Sequence, residues 1–285
     1  MSNIGIIAGS GQFPALVAQE AHKAGHCVFI CGFKGHASPD LACLPELADR
    51  PDAFVMLPLG QLGGLIDFFK RNHVDKICMA GAIAKPKALD LRPDLRAAKL
   101  IFKLRRVAGD DFILRAFAAE LAEEGLPVVQ AADLAPSLRA PAGILTRRKP
   151  SEDDWEAIRC GWPIGRLLGR HDVGQSLVMR GRMVVAVEAL EGTDAALRRG
   201  GDLGGKGCVA LKMLKPGQDT RLDLPSIGLG TVEIMTGLGY SCLAYEAGHT
   251  LFFDLEAAIR LADRHDLTVI GLTPEDIAGL EPRGG

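Results

Sequence analysis

Residues 3–14 read Asn-Ile-Gly-Ile-Ile-Ala-Gly-Ser-Gly-Gln-Phe-Pro, and this stretch decides the fold. The apolar run Asn3–Ala8 is typical of a buried strand, and the glycine-rich stretch Gly9–Phe13 is typical of a tight turn. Pro14 suits the first turn of a helix, which we expect to end at Gly25. A strand, a glycine-rich turn and a helix in this order indicate the first βα unit of a parallel sheet.

The same alternation continues through the first half of the chain. Further strands are predicted at Cys27–Phe33, Phe54–Leu57, Lys76–Met79 and Val128–Gln130. The helices predicted between them lie at Leu65–Asn72, Pro93–Val107 and Asp110–Glu124. Because strands and helices alternate, we expect an α/β protein whose N-terminal domain is a Rossmann-like parallel sheet.

The second half of the chain predicts another α/β domain. A helix is expected over Glu152–Leu168 and a β-hairpin over Leu177–Val187. After them, short strands alternate with helices near Asp194, Thr231 and Leu255, and these strands are Val209–Leu214, Ser241–Ala244 and Thr268–Ile270. The predicted organisation is a Rossmann-like domain of residues 1–134, a proline-containing linker of residues 135–150 and a second α/β domain of residues 151–285.

The composition excludes several classes of protein. Hydrophobic residues make up 48% of the chain and charged residues 24%, which is typical of a globular protein and not of a disordered one. A net charge of -2 gives the chain no overall positive charge that would attract nucleic acid. The seven cysteines show no C-x-x-C spacing, so the sequence indicates neither a disulfide framework nor a zinc site. The first charged side chain is Glu20, and no run reaches roughly 18 apolar residues, so we expect a cytoplasmic protein without a membrane span.

Two turns at the predicted carboxyl edge of the first sheet are candidates for binding an anion. The first turn consists of Gly9, Ser10, Gly11 and Gln12. Its amides and the positive end of the following helix can receive a phosphate. Gly81 and Lys85 follow the fourth predicted strand, so they fall at the same edge of the sheet. An ordinary tight turn and a solvated lysine remain open as alternatives.

The densest groups of charged residues lie in the second half of the chain. Glu188-Ala-Leu-Glu191-Gly192-Thr193-Asp194 closes a predicted strand and opens a helix, which places carboxylates that can hold a hard cation at one turn. The second group comprises Lys212, Lys215, Gln218, Asp219, Arg221 and Asp223. Arginine and lysine suit phosphate oxygens, whereas aspartates suit Mg²⁺ and an activated water. A salt-bridged surface loop is the alternative.

A stripe of basic residues follows one predicted helix of the first half. It consists of Arg96, Lys99, Lys103, Arg105 and Arg106. We interpret this stripe as a solvated helix face, and a contact for anionic lipid headgroups is the alternative.

Five motifs together resemble those of the LpxI-type UDP-2,3-diacylglucosamine pyrophosphatases. They are Gly9–Pro14, Ala80-Gly81 with Lys85-Pro86, Asp172–Gln175, Glu188–Asp194 and Lys215–Pro225. The resemblance covers nearly the whole chain in order, and its last two motifs are the specific ones. One departure follows Pro225, where the chain reads Ser-Ile-Gly-Leu-Gly-Thr and the family pattern is expected to have a threonine and a second proline.

The resemblance implies hydrolysis of UDP-2,3-diacylglucosamine to UMP and 2,3-diacylglucosamine 1-phosphate (lipid X), a step of lipid A synthesis in Gram-negative bacteria. It implies assistance by Mg²⁺ or another divalent cation and attack of water on the phosphorus nearer the sugar. It also implies a catalytic second domain, a substrate cleft between the two domains, and a homodimer that binds a lipid-linked nucleotide sugar. The charge balance predicts no nucleic-acid partner, and peripheral contact with the inner membrane is a further expectation.

The essential aspartate of the family falls on Asp223, which we expect to be a metal ligand or general base. Lys215 and Arg221 are assigned with it to catalysis, and Asp219, Glu191 and Asp194 are further candidate metal ligands. The residues assigned to substrate binding are Gly9, Ser10, Gly11, Gln12, Gly81, Lys85, Gly192, Thr193, Lys212 and Gln218.

Two other functions stay open at this stage. The glycine-rich turn also suits a nucleotide-sugar or NAD-dependent oxidoreductase, although no acidic residue ends the second strand to bind a ribose. A non-catalytic sensor of a nucleotide or lipid is the other alternative, and it leaves the acid-rich motifs of the second half without a chemical role.

Overall fold

The structure is a computed structural model, and the residues it describes are 1–83, 92–104 and 110–280. Contacts divide the chain into two compact units. The first unit comprises Met1–Ser137 and Asp219–Asp223, and the second comprises Leu138–Gln218 and Leu224–Gly285. The segment Asp219–Asp223 therefore groups with the first unit although it belongs to the second half of the sequence. The predicted α/β fold is confirmed, because each unit contains its own sheet and helices.

Within the described residues, a four-stranded parallel sheet forms the core of the first unit. Its strands are β1 (Asn3–Ala8), β2 (Cys27–Phe33), β3 (Phe54–Leu57) and β4 (Lys76–Ala80). They lie in the order β3-β2-β1-β4, and every neighbouring pair is parallel. All of β2 is buried, and β1 is buried from Ile4 onward, as expected for strands covered on both faces.

Helices follow these strands much as the sequence predicts. They are α1 (Phe13–Lys23), α2 (Leu62–Arg71), α3 (Leu95–Leu104), α4 (Asp110–Glu123) and α5 (Ala131–Leu134). Short 3-10 turns occur at Pro39–Cys43, Pro45–Leu47, Pro51–Ala53 and Pro136–Leu138. The glycine inside β1 is explained by α2, since a Cβ on Gly5 would lie 2.8 Å from Cε1 of Phe69. Gly5 therefore lets this helix pack closely on the sheet.

The predicted fifth strand of the first sheet is wrong. In the part of the chain that the structure describes, Val128 forms an isolated parallel bridge with Ile77 and no longer strand. The amide of Ile77 donates to Pro127 at 2.9 Å, and the amide of Val129 donates to Ile77 at 2.8 Å. Pro127 has no amide to extend the ladder, and α5 begins at Ala131, so this apolar run ends before a strand forms.

The second unit is built on a six-stranded mixed sheet. Its strands are β5 (Gly143–Ile144), β6 (Ser176–Arg180), β7 (Met183–Val187), β8 (Val209–Lys212), β10 (Cys242–Glu246) and β12 (Thr268–Leu272), in the order β5-β12-β10-β8-β6-β7. Two further short strands, β9 (Ser226–Ile227) and β11 (Leu251–Phe252), pair with each other in parallel. The predicted hairpin is confirmed as β6 and β7, which are antiparallel. The strand β5 lies inside the segment predicted as a linker and pairs with β12.

The helices of the second unit cover both faces of this sheet. They are α6 (Glu152–Arg170), α7 (Thr193–Gly204), α8 (Leu229–Gly237), α9 (Leu255–Arg264) and α10 (Pro274–Leu280). Leu177 and Met179 belong to a core with Trp162 of α6, whereas Val178 belongs to a core with Leu197 of α7. This division follows from the alternation of side chains along a strand.

A capping box at Ser151 and Asp154 begins α6. The helix approaches the sheet through glycines, since a Cβ on Gly165 would lie 2.4 Å from Cε of Met213. The end of the Met213 side chain therefore packs directly against the backbone of α6 at this position.

Candidate functional site

Three strand ends of the second unit meet at one edge of its sheet. The strands β8 and β10 are parallel, and β7 runs in the same direction because β6 is antiparallel to both β7 and β8. Glu188 follows β7, Lys212 ends β8 and Glu246 ends β10. The carboxyl edge of an α/β sheet is where ligands bind, so we take this charged edge as the candidate site of the second unit.

Lys212, Thr193 and Glu188 form a hydrogen-bonded chain at this charged edge, and its two charged members are buried. Nζ of Lys212 donates to Oγ1 of Thr193 at 2.5 Å, and this hydroxyl donates to Oε1 of Glu188 at 2.8 Å. Nζ of Lys212 also lies 3.6 Å from Oε2 of Glu188. Lys212 is 3% exposed and Glu188 is 8% exposed, so the ammonium is held inside the protein. A charge pair buried to this extent requires both partners.

The motif Asp172–Gln175 supports this buried chain. A Cβ on Gly174 would lie 2.0 Å from the carbonyl oxygen of Glu188, so a larger residue cannot stand there. The carbonyl of Gln175 accepts from the amide of Met213 at 3.0 Å, and the carbonyl of Ser176 accepts from the amide of Glu188 at 2.9 Å. The motif and Ser176, the first residue of β6, thereby join the chain after β7 to the chain after β8.

Lys215 stands on the loop after β8 and is partly exposed. Its Nζ donates to Oδ1 of Asp172 at 2.6 Å. The backbone before it is fixed by Glu246, whose carboxylate accepts from the amide of Leu214 at 3.1 Å, and by Arg166, which donates to the carbonyl of Leu214 at 3.2 Å.

Sequence reasoning missed Arg166 and Glu246. The available signals were a carboxylate at the end of an apolar strand and an arginine inside the helix that precedes the hairpin.

The two other candidate carboxylates of the second unit have different surroundings. Glu191 accepts hydrogen bonds from Arg199 and from the amide of Ala189, and the contact with Arg199 lowers the pKa of Glu191 below its usual value. Asp194 lines a cavity of about 540 Å³ between α7 and α8, together with Arg198 and Glu233. The structure therefore does not aim these two carboxylates at a common point.

In the first unit, the turn after β1 packs directly on the turn after β4. The amides of Gly9 and Ser10 donate to the carbonyls of Ala80 and Ala82, both at 2.8 Å. A Cβ on Gly9 would lie 2.5 Å from the carbonyl oxygen of Gly81, and one on Gly81 would lie 2.4 Å from that of Ser10. Both positions require glycine because the two backbones touch.

The start of α1 is the part of this turn that can meet an anion. Gly11 has a φ of 86° and open space around it, and Gln12 precedes the helix without a side-chain cap. Because Gly9 and Ser10 use their amides within the protein, a phosphate here would bind through Gly11, Gln12 and the first turn of α1. Lys85, Arg105 and Arg106 lie outside the described residues.

Asp219 and Arg221 form a forked ion pair in the segment that groups with the first unit. Nε and Nη2 of Arg221 donate to the two carboxylate oxygens of Asp219 at 2.9 Å and 2.6 Å. This contact, with a smaller contribution from the charge of Arg115, lowers the pKa of Asp219 below its usual value. Asp223 is exposed at the end of the same turn, and its amide lies 3.4 Å from the carbonyl oxygen of Asp219.

The predicted metal ligands are Asp223, Asp219, Glu191 and Asp194. Among the residues that the structure describes, no group of three or more His, Cys, Asp or Glu side chains is arranged to hold a metal ion. Asp219 and Asp223 group with the first unit, whereas Glu191 and Asp194 group with the second. The carboxylates of Asp219 and Glu191 form ion pairs with the guanidinium groups of Arg221 and Arg199, respectively.

None of the helices within the described ranges has both the length and the apolar character needed to cross a bilayer.

Comparisons with known proteins match both units. A family model described as the LpxI N-terminal domain matches residues 3–138, and one described as the LpxI C-terminal domain matches residues 141–270. UDP-2,3-diacylglucosamine pyrophosphatase LpxI of Caulobacter vibrioides is 33% identical over 286 residues, covering 97% of this chain and 99% of that protein. A solved isoflavone reductase covers 98% of this chain and 81% of its own at 12% identity, but its TM-score of 0.26 carries no argument.

Proposed function

The chain belongs to the LpxI family, and from this premise we propose that it is a hydrolase that cleaves the pyrophosphate bond of UDP-2,3-diacylglucosamine. The products are UMP and 2,3-diacylglucosamine 1-phosphate, which places the enzyme in lipid A synthesis and, as part of the proposal, in the cytoplasm. The observation that carries the proposal is the match of this family over both halves of the chain, including the motifs at the charged edge.

The reaction requires an activated water and positive charge beside the phosphate oxygens. In the proposed step the water oxygen bonds to the phosphorus nearer the sugar, and the bond from that phosphorus to the bridging oxygen breaks. The bridging oxygen leaves with UMP. Asp223 receives the proton of the attacking water, because an exposed carboxylate at the end of a fixed turn can accept it.

Lys215 and Arg221 are proposed to stabilise the charge of the phosphate oxygens. Each already contacts one carboxylate, Asp172 for Lys215 and Asp219 for Arg221. An ammonium has three donor hydrogens and a guanidinium has five, so both retain donors for a phosphate. The carboxylates orient the cations before the substrate arrives, which lowers the entropy cost of binding.

We also propose that the substrate contacts Lys212, Thr193 and the turn at Gly192, and that it contacts Gln218 on the loop after β8. Glu188 is added here as a positioning residue, because its carboxylate holds the Thr193 hydroxyl and faces the Lys212 ammonium. We propose that this buried chain sets the position of the first turn of α7. In the first unit, Gly11 and Gln12 are proposed to bind phosphate, and Gly9, Ser10 and Gly81 hold that turn in shape.

Assistance by Mg²⁺ is part of the proposal and rests on the family resemblance. When bound, a divalent cation neutralises charge on the phosphate oxygens. Its proposed ligands are Asp223, Asp219, Glu191 and Asp194. Asp219 and Glu191 would first have to release Arg221 and Arg199, so we assign no step to the ion. We further propose that the protein forms a homodimer and makes peripheral contact with the inner membrane.

The test is incubation of the purified protein with UDP-2,3-diacylglucosamine and either Mg²⁺ or EDTA, followed by separation of UMP. We expect UMP and lipid X in equal amounts, with less product in EDTA. Absence of UMP in both conditions would refute the proposed function, and equal rates would refute the role of the metal. In ¹⁸O-labelled water, label in lipid X supports attack at the sugar-side phosphorus, and label in UMP rejects it.

A further inference from the structure

We propose that Ser176 is a positioning residue of the second unit, whose hydroxyl binds the Glu188 carboxylate when the substrate takes up the Lys212 ammonium. The inference deepens the proposed function and rests on it in one respect, because it takes Lys212 as a contact of the substrate phosphates. It gives a role to a hydroxyl at the charged edge that the proposed step leaves unused.

Ser176 lies between the two charged residues in the order of the sheet. It begins β6 and is paired with Lys212 of β8. On its other side, the amide of Glu188 donates to the carbonyl of Ser176 at 2.9 Å, which extends the pairing of Leu177 with Val187 by one residue. The ends of three neighbouring strands therefore carry Glu188, Ser176 and Lys212 in one row.

The three side chains of this row lie on the face of the sheet that α7 covers. Val178, two residues after Ser176 on the same strand, belongs to the core shared with α7. Lys212 and Glu188 are both joined to Thr193, the first residue of α7. Because neighbouring strands lie about 4.8 Å apart, this pair spans roughly 10 Å of the sheet, and its two charged groups meet above Ser176.

The hydroxyl of Ser176 has no partner in this arrangement. Ser176 is 7% exposed, and among the residues that the structure describes its Oγ is a buried atom without a hydrogen bond. The same holds for Oε2 of Glu188. A buried hydroxyl without a partner costs folding free energy that an alanine side chain does not cost. The fold therefore does not require this hydroxyl, and a use in the substrate complex explains it.

The row supplies a partner for both of these atoms. Cβ atoms that face each other on antiparallel strands lie about 4.5–5.5 Å apart, so a change of rotamer brings the Ser176 hydroxyl to the Glu188 carboxylate. When the substrate phosphates take up the Lys212 ammonium, Oε2 of Glu188 loses the cation that lies 3.6 Å from it. A hydrogen bond donated by Ser176 then stabilises the carboxylate and keeps it beside Thr193.

The test measures UMP release and urea unfolding of Ser176→Ala. We expect KM for UDP-2,3-diacylglucosamine to rise about tenfold and kcat to change less than about twofold, because the hydroxyl acts as soon as Lys212 binds the phosphates. The urea midpoint is expected to be no lower than that of the wild type, since the free protein loses no hydrogen bond. A variant that merely folded poorly would show a lower midpoint and a lower kcat with an unchanged KM.

Ser241→Ala is the matched control and is expected to behave in the opposite way. The hydroxyl of Ser241 donates to Oδ1 of Asp154 at 2.6 Å. Ser241 directly precedes β10, so it lies at the opposite edge of the sheet from Glu246. Loss of this hydroxyl is expected to lower the urea midpoint and to leave both KM and kcat unchanged.

A double variant separates action through Glu188 from direct contact with the substrate. Glu188→Gln removes the carboxylate charge, so adding Ser176→Ala to this variant is expected to raise KM less than about twofold further. A further tenfold rise would show that Ser176 acts on the substrate itself and would overturn the proposal.

The proposal is also overturned if Ser176→Ala lowers the urea midpoint as Ser241→Ala does, because the hydroxyl then serves the fold. UMP release by the wild type together with an unchanged KM of Ser176→Ala refutes the role of Ser176 alone. Absence of UMP release by the wild type refutes the proposed function, and the role of Ser176 falls with it.

Discussion

The carboxyl edges of the two sheets are built from different materials. In the first unit, backbone meets backbone, since the Gly9 turn and the Gly81 turn leave no room for a Cβ. In the second unit, the charged edge is built from side chains, with Lys212 and Glu188 removed from water and tied together through Thr193. The first edge is thus determined by shape and the second by charge, and each is sensitive to a different kind of substitution.

The largest expected effect concerns the segment that joins the first unit from the second half of the chain. Asp223→Ala is expected to lower turnover by about 10²- to 10⁴-fold, because the attacking water loses its base. The measurement is UMP release, with thermal unfolding followed in parallel. Asp153→Ala removes an exposed aspartate at the start of α6 and serves as the control. Full activity of Asp223→Ala would remove this residue from the mechanism.

Breaking the buried pair tests whether charge holds the second edge. Lys212→Met leaves Glu188 buried without its cation and is expected to cost about 3–5 kcal/mol of unfolding free energy. Adding Glu188→Gln should restore part of this loss. Urea unfolding of both variants provides the measurement, and the exposed pair Glu256–Arg260 provides a control whose removal changes little. If the Lys212→Met protein were as stable as the wild type, the claim that the charge pair stabilises the edge of the second sheet would be wrong.

A single methyl group tests whether shape holds the first edge. Gly9→Ala places a Cβ 2.5 Å from the carbonyl oxygen of Gly81, which is a steric clash, so we expect a loss of about 1–3 kcal/mol in unfolding free energy. Gly230→Ala is the control, because Gly230 lies in α8 with open space around it and alanine favours a helix. Equal stability of the two variants would mean that the Gly9 turn tolerates a side chain.

The smallest effect is a pH dependence carried by Asp219. The Arg221 guanidinium lowers the pKa of Asp219, so the pair contributes stability above the ordinary pKa of an aspartate. This contribution is lost as pH falls below about 4 and the carboxylate takes up a proton in the folded state. Arg221→Met should flatten this part of the profile of urea midpoint against pH. An unchanged acid limb in the variant would show that the pair contributes nothing.

Local pattern predicted much of this fold. The strand, turn and helix of residues 3–23 and the hairpin around Gly181 follow from short-range rules of burial and backbone conformation, and both are present. The fifth strand at Val128 was wrong because its apolar run is short and begins after Pro127. Periodicity does not show whether so short a run pairs along its length or at one residue only.

The roles of charged residues were harder to predict. The sequence motifs made Asp219 and Glu191 candidate ligands of a cation. In the structure, Asp219 forms an ion pair with Arg221 and Glu191 forms one with Arg199. Arg199 stands eight residues after Glu191, and the loop and helix geometry decides that they meet.

By itself, the sequence determined the α/β class, the order of most elements and the family, because these depend on local pattern and on motifs that are read in order. Only the tertiary structure decided that Lys212 is buried against Thr193 and Glu188 and that Asp219–Asp223 groups with the first unit. The physical reason is that burial and ion pairing depend on which distant segments exclude water from a side chain. Neighbours along the chain do not carry that information.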